Sequence, residues 1–212
     1  MARSDGVEND AKLAARAAMG MRHELKLLNE RWKTEGSPPL GIGIGINQGD
    51  VLAGNIGSSE RADLTVIGDA VNLGSRLEGL TRTYGVDILL GASATELVRD
   101  EFYVRSVARV QVKGKTKPVD VSALLGARNE PFDEEFLKLL ESYEEGMQKF
   151  RARDFIGAKI LLSQFLEFYP ADALARLYLG RATEYATQPT DETWTAIEVF
   201  HKKRVWRAGD SR

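Results

Sequence analysis

The strongest constraint on the fold of this sequence is a strict alternation of glycine with apolar residues over residues 40–46, Leu-Gly-Ile-Gly-Ile-Gly-Ile. A period of two predicts a β-strand, here with one face made only of glycine. The run does not fit a phosphate-binding loop, because no Gly-Lys-Ser/Thr follows it and its glycines do not turn into a helix. We therefore predict a strand whose glycine face lets another backbone or a helix approach closely.

Helical and strand patterns alternate from residue 8 to residue 125. They predict helices over residues 8–33 and 68–84, the second ended by Gly85, and a short helix begun by a capping box of Ser93 and Glu96. They predict strands over residues 40–46, 51–56, 63–67, 86–90, 104–112 and 119–125, with a tight turn at residues 47–50. Mixed elements of this kind predict an α/β (α+β) sandwich.

The composition changes at residues 127–131, a predicted linker, and the pattern beyond it predicts an all-helical tail over residues 131–212. Gly146 and Gly180 are 34 residues apart, as are Tyr143 and Leu177. This is the period of tetratricopeptide repeats, which the tail resembles. One unit and part of a second leave an apolar face uncovered, so we expect the tail to pack on the preceding domain or on a partner. The residues expected on that face are Phe136, Leu140, Phe165 and Trp194.

Composition and charge exclude several classes of function. The 29 basic and 31 acidic side chains nearly balance, which gives no basic surplus for binding nucleic acid. No cysteine is present to form a disulfide, a thiolate metal site or a thiol nucleophile. No apolar run approaches the roughly 20 residues of a membrane span, and no signal peptide is visible, so we expect a cytoplasmic chain.

Two polar residues of the 68–84 helix stand out as candidates for chemistry. Asn72 and Arg76 are four residues apart and therefore share a face, away from the predicted apolar stripe. An amide and a guanidinium projecting together suit a polyanion and a sugar oxygen. A solvated polar face without function is the alternative interpretation of the same pair.

Three motifs carry a close resemblance to the class III adenylate/guanylate cyclases. They are GDVLAGNIG at residues 49–57, RADLTVIGDAVNLGSRLE at residues 61–78 and VKGK at residues 112–115, in the family's order and spacing. The resemblance covers residues 8–125 and implies a ferredoxin-like catalytic domain, here residues 1–126. In that family two catalytic domains form a dimer with active sites at the interface. One subunit supplies two metal-binding Asp residues and a purine-selecting Lys, and the other supplies the transition-state groups.

Position by position, the resemblance assigns a role to four residues. Thr65 is similar to the purine-selecting residue, Asn72 to the ribose-orienting Asn, Arg76 to the transition-state Arg and Lys113 to the polyphosphate-binding Lys. The implied reaction is attack of the ribose 3′-hydroxyl on the α-phosphorus, with two Mg²⁺ or Mn²⁺ ions as cofactors. Thr at position 65 resembles bacterial adenylate cyclases and favours ATP over GTP. The implied partner is a second copy of the chain or another cyclase domain, and the tail could bind a further protein.

The sequence also departs from the family pattern. The strand with the first metal-binding Asp, the second metal-binding Asp and the strand with the Lys are absent, so the expected fold lacks strands at the centre of its sheet. We therefore expect this chain to supply no metal ligand and to be inactive alone. The alternative is a catalytically silent module, derived from a cyclase, that serves interaction or dimerisation.

Overall fold

The computed structural model describes residues 4–58, 61–112, 117–188 and 190–200. They form an α/β structure with six helices and seven strands in the described part. In chain order the elements are α1 (Ser4–Glu35), β1 (Ile44–Ile46), β2 (Leu52–Ser58), β3 (Arg61–Ile67), α2 (Asp69–Tyr84), β4 (Ile88–Gly91), α3 (Ala92–Val98), β5 (Phe102–Val112), β6 (Val119–Ala127), α4 (Glu134–Arg151), α5 (Phe155–Phe168), α6 (Ala173–Thr187) and β7 (Ile197–Phe200). None of the helices within these bounds is both long and apolar enough to cross a bilayer.

Five of the strands form one sheet in the order β1-β4-β6-β5-β7, and β2 and β3 form a separate antiparallel hairpin. The outer pairs β1/β4 and β5/β7 are parallel, whereas β6 is antiparallel to both of its neighbours. The sheet was expected to lack central strands. The described strands form a continuous sheet, in which β1 pairs directly with β4, with Ile44 opposite Ile88 and Ile46 opposite Leu90.

Each face of the sheet carries its own hydrophobic core. On one face α1 and α3 pack over Ile46, Ile88 and Leu90, and α1 contributes the fully buried alanines Ala11, Ala15 and Ala18. The other face carries α2 together with α4, α5 and α6. Leu89 points to that second face, as the period of two in a strand requires. The expected sandwich is therefore present, with helices on both sides of the sheet.

An irregularity in β5 attaches the C-terminal helices to the sheet. The register of β5 against β6 shifts between Ser106 and Ala108, which frees backbone groups of Ser106 for other partners. The Ser106 amide donates to the Glu144 carboxylate at 2.6 Å, and the Tyr143 hydroxyl donates to the Ser106 carbonyl at 2.8 Å. Both partners belong to α4, so this helix satisfies the bulge.

A buried ion pair lies next to this bulge. The Arg105 guanidinium donates to the Asp172 carboxylate at 2.8 Å, and the two side chains are only 7% and 13% exposed. Asp172 also caps α6 by accepting from the amide of Ala175 at 2.8 Å, and Arg105 stacks on the Tyr143 ring at 5.2 Å. Arg105 of β5 therefore contacts α4 through Tyr143 and the start of α6 through Asp172.

The tail was expected to pack on the preceding domain or on a partner, and its described residues pack on the preceding domain. Phe165 is buried, and the other three residues expected on the uncovered face, Phe136, Leu140 and Trp194, pack against the core that contains α2. Phe136 and Phe165 meet edge to face with their ring centres 5.6 Å apart.

The prediction of an all-helical tail is wrong at its end. Ile197–Phe200 form β7, with Ile197 opposite Arg109 of β5. These residues add to an open edge of the sheet, a tertiary contact that no local pattern reveals.

Two local predictions also need correction. Ser93 does not cap α3, because the helix begins at Ala92, its N-cap is Gly91 and no side chain accepts there. The strand predicted over residues 40–46 is limited to residues 44–46, where β4 supplies a partner. Leu40 instead exchanges two hydrogen bonds of 2.8 Å with the Asn29 side chain.

We expect Arg105→Met to lower the free energy of unfolding by about 3–5 kcal/mol, because it leaves the buried Asp172 carboxylate without its charged partner. Arg109→Met is the matched control on the same strand. Arg109 lies 3.7 Å from Asp120 and both side chains are at least half exposed, so its loss should cost at most about 1 kcal/mol. Urea denaturation followed by circular dichroism measures both, and equal losses would contradict the role given to the buried pair.

Candidate functional site

Helix α2 carries two of the candidate residues, and the glycines of the 40–46 run determine how it lies on the sheet. A Cβ on Gly43 would overlap the Thr81 hydroxyl, and one on Gly45 would overlap the carbonyl of Gly74. Only glycine at these positions lets the helix backbone come so close to β1. The predicted close approach is confirmed, and its partner is α2.

The loop after β1 supports the first turn of α2. The Asn47 side-chain amide donates to the Ala70 carbonyl at 3.0 Å. A Cβ on Gly49 would lie 2.9 Å from the Cβ of Ala70, and one on Gly68 would lie 3.1 Å from the carbonyl of Asp50. The sequence pattern predicts only a tight turn at residues 47–50 and does not reveal this support. Asn directly after a strand and ahead of Gly49 was the available signal.

The other end of α2 is as predicted. Gly85 adopts a left-handed conformation with φ of 65°, and Val86 donates its amide to the Thr81 carbonyl at 3.0 Å. Glycine adopts this conformation without a steric penalty, which is why it commonly ends helices. The axis of α2 is thus fixed at both ends.

Three of the four candidate residues lie on this helix or just before it. Asn72 is exposed and Arg76 is half-buried, both off the buried stripe of Leu73, Leu77 and Leu80. Thr65 is half-buried on β3 opposite Gly54 of β2. Since β3 runs into α2 through Gly68 alone, the chain brings Thr65, Asn72 and Arg76 to one strand–helix junction. Lys113 lies outside the described residues.

An exposed apolar rim borders the same junction. It consists of Val51, Leu52, Val66, Ile67 and Val71, all exposed. Leu52 is 79% exposed and stands opposite Ile67 in the hairpin. A two-stranded hairpin is marginally stable by itself, and an exposed apolar patch commonly marks an interaction surface.

The described residues do not fit a metal centre. Among them, no three His, Cys, Asp or Glu side chains gather to hold an ion. Asp87 directly precedes β4, and its carboxylate accepts from Arg22 Nε at 2.5 Å and from Nη2 at 2.6 Å. Arg22 also donates to the carbonyls of Leu124 and Leu125 at 2.7 and 2.8 Å. Asp87 therefore joins α1 to the sheet.

A groove of about 800 Å³ lies away from this junction, between α1 and residues 36–42, and includes Leu25, Asn29 and Ile42 in its lining. The described candidate residues, Thr65, Asn72 and Arg76, are not part of this lining. The groove is therefore separate from the α2 junction, where the polar candidate residues Thr65, Asn72 and Arg76 occur together.

We expect Gly45→Ala to lower the free energy of unfolding by about 1–3 kcal/mol, because the added methyl group pushes α2 away from β1. Gly41→Ala is the control, since nothing lies within 4 Å of a Cβ built there. Urea denaturation measures both variants. A Gly45→Ala protein as stable as Gly41→Ala would show that the close packing of α2 on β1 is dispensable.

Comparison with known proteins identifies relatives for the part that contains this site. The family model for the adenylate and guanylate cyclase catalytic domain matches residues 2–124. An adenylate cyclase of Anabaena cylindrica is 36% identical over 121 residues, covering 54% of this chain and 24% of the relative. The terminal-differentiation specific adenylate cyclase of Dictyostelium discoideum is 32% identical over 145 residues, covering 67% of this chain and 7% of the relative.

A solved structure resembles the same region. The crystal structure of the adenylyl cyclase CyaB from P. aeruginosa aligns with a TM-score of 0.54 and 33% identity, covering 60% of this chain and 65% of that one. The chain spans a quarter or less of the length of the adenylate cyclases of Anabaena cylindrica and Dictyostelium discoideum.

Proposed function

Because this chain belongs to the family of adenylate and guanylate cyclase catalytic domains, we propose that it acts in a nucleotide cyclase that converts ATP to 3′,5′-cyclic AMP and pyrophosphate. The observation that carries the proposal is the α2 junction, where an amide and a guanidinium lie one helical turn apart beside an exposed apolar rim. The adenylate cyclases among its relatives support ATP as the substrate.

In the proposed reaction the ribose 3′-hydroxyl attacks the α-phosphorus, the bond to the pyrophosphate leaving group breaks, and the hydroxyl proton is released. Asn72 orients the ribose through its side-chain amide. Arg76 donates to the phosphate oxygens, on which negative charge develops in the transition state. Lys113 binds the polyphosphate and Thr65 contacts the purine.

Divalent ions, Mg²⁺ or Mn²⁺, would neutralise the polyphosphate charge when bound. The donor set of the described residues does not fit them, so we propose that their carboxylate ligands come from a second cyclase domain or from another part of the protein. This chain then supplies the transition-state half of a shared site.

The apolar rim supports a dimer partner for this half-site. Val66, Ile67 and Val71 adjoin the junction from the strand side and the helix side. A partner that covers them would exclude water from the nucleotide and strengthen the charge interactions of Arg76. We propose a second copy or a homologous cyclase domain as that partner.

Complementation tests the half-site. We expect this chain alone to make no cyclic AMP. Mixed with a cyclase catalytic domain that keeps its metal-binding carboxylates but lacks its own transition-state Arg, it should restore product in the presence of Mn²⁺. Asn72→Ala and Arg76→Ala should each lower the restored kcat by about 10²–10³. Arg82→Ala, a change of the same residue type on the same helix, is the control and should leave kcat within about threefold.

The outcomes separate the two functions. Product from this chain alone would overturn the shared-site assignment. Binding to the partner, shown by sedimentation, without restored product would favour the catalytically silent interaction module. If the Asn72 and Arg76 variants both kept activity within threefold of the unchanged chain, these residues would form only a solvated surface without a catalytic role.

Substrate choice provides a separate test of Thr65. In the restored mixture we expect kcat/KM for ATP to exceed that for GTP, because the Thr65 hydroxyl can both donate and accept toward the adenine edge. Thr65→Val keeps the shape but removes the hydroxyl and should reduce the preference about tenfold, the effect of one net hydrogen bond. Faster turnover of GTP by the unchanged chain would contradict the role of Thr65.

A further inference from the structure

Strand β7 is joined to α6 by a compact polar cluster. The Glu198 carboxylate accepts from Arg181 at 2.6 and 3.2 Å and from the Tyr178 hydroxyl at 3.2 Å. Glu198 lies in the middle of β7, opposite Val110 of β5. Arg181 and Tyr178 both belong to α6, so the cluster fastens the C-terminal strand to the last helix.

The same cluster reaches the end of the helix that carries the candidate site. Tyr84, the last residue of α2, is 1% exposed. Burial raises the pKa of its hydroxyl above the ordinary value, and the negative charge of Glu198 raises it further. Within the described part of the chain this hydroxyl has no hydrogen-bond partner that meets normal geometry. A buried hydroxyl of this kind is sensitive to any displacement of the charges beside it.

A steric contact places α6 against the same end of α2. A Cβ on Gly85 would lie 2.5 Å from the Cβ of Ala173, the first residue of α6. Along its length α2 also packs closely on Gly45 of β1 and on Gly43 just before that strand. The helix is thus held between the sheet and the tail, and an amide or guanidinium on it moves with the whole helix.

We propose that Arg181 and Glu198 are positioning residues for α2, which hold α6 and β7 against its end and thereby fix where Asn72 and Arg76 lie. The C-terminal helices and β7 would then contribute to cyclase activity by positioning α2. The inference rests on the proposed function for its catalytic consequence, although its structural consequence is independent of catalysis.

The test uses the full chain with Arg181→Ala, Glu198→Ala and the charge-exchanged pair Arg181→Glu/Glu198→Arg. Hydrogen exchange of the amides of residues 69–84 is measured on the chain alone, and kcat and KM are measured in the complementation mixture. We expect each single variant to speed exchange in α2 and to lower kcat, both about tenfold, with KM within about twofold. The charge-exchanged pair should recover most of both effects.

Two further variants of the tail serve as controls. Glu145→Ala removes an exposed carboxylate 4.0 Å from Lys149 and should change neither readout. Asp154→Ala removes the cap that accepts from the Gly157 amide at 2.8 Å and so weakens the tail away from β7. If Asp154→Ala lowers kcat as much as Glu198→Ala at equal thermal stability, the tail supports α2 only through its overall stability and the positioning role is wrong.

The readouts distinguish the two proposals. An unchanged chain that restores no product contradicts the proposed function, while hydrogen exchange still decides the role of the pair. Unaltered exchange in α2 of Glu198→Ala would overturn the positioning role. The positioning role would also be wrong if the charge-exchanged pair did not restore slow amide exchange in α2, because the effect would then not depend on the ion pair.

Discussion

The buried contact between Arg105 of β5 and Asp172 at the start of α6 is the interaction on which the arrangement of the second face depends. A guanidinium buried inside a protein requires a partner, and the contact between Arg105 and Asp172 keeps the start of α6 beside β5. The adjacent bulge adds a directional requirement, since the freed backbone groups of Ser106 are satisfied by Tyr143 and Glu144 of α4. Apolar burial supplies most of the stability of this face, but burial alone has no direction. These polar contacts select one docking geometry for the helices.

The packing on this face of the sheet also fixes the position of α2, and with it the polar side of that helix. The helix has a fixed distance from β1 because glycines allow backbone contact, and a fixed axial position because α6 meets its C-terminal end. The polar residues on its remaining side are therefore presented by a rigid support. Rigid presentation is what stabilisation of a transition state requires, since groups that need not reorganise during the reaction are the effective ones.

The parts of this fold that the sequence predicts are those governed by short-range rules. The close approach allowed by the glycines at and before β1, the apolar stripe of α2 and its end at Gly85 all follow from period and backbone freedom, and the structure agrees with each. The contacts that the sequence does not predict are long-range. Strand β7 forms because β5 has an open edge, and Asn47 supports α2 because the fold brings them together. For the candidate site, the shared face of Asn72 and Arg76 was predictable from helical spacing, but the rim beside it depends on how the hairpin lies.

The hairpin of β2 and β3 belongs to no larger sheet in the described part of the chain. Its outward apolar side chains, Leu52 above all, stay in water while the protein is alone. Association that covers them would supply the burial that two strands lack by themselves. The fraction of molecules whose junction at Thr65 is covered would then follow mass action. It would rise with protein concentration and fall on dilution. Through this hairpin, the abundance of the protein in solution would itself control how much of it is competent to act.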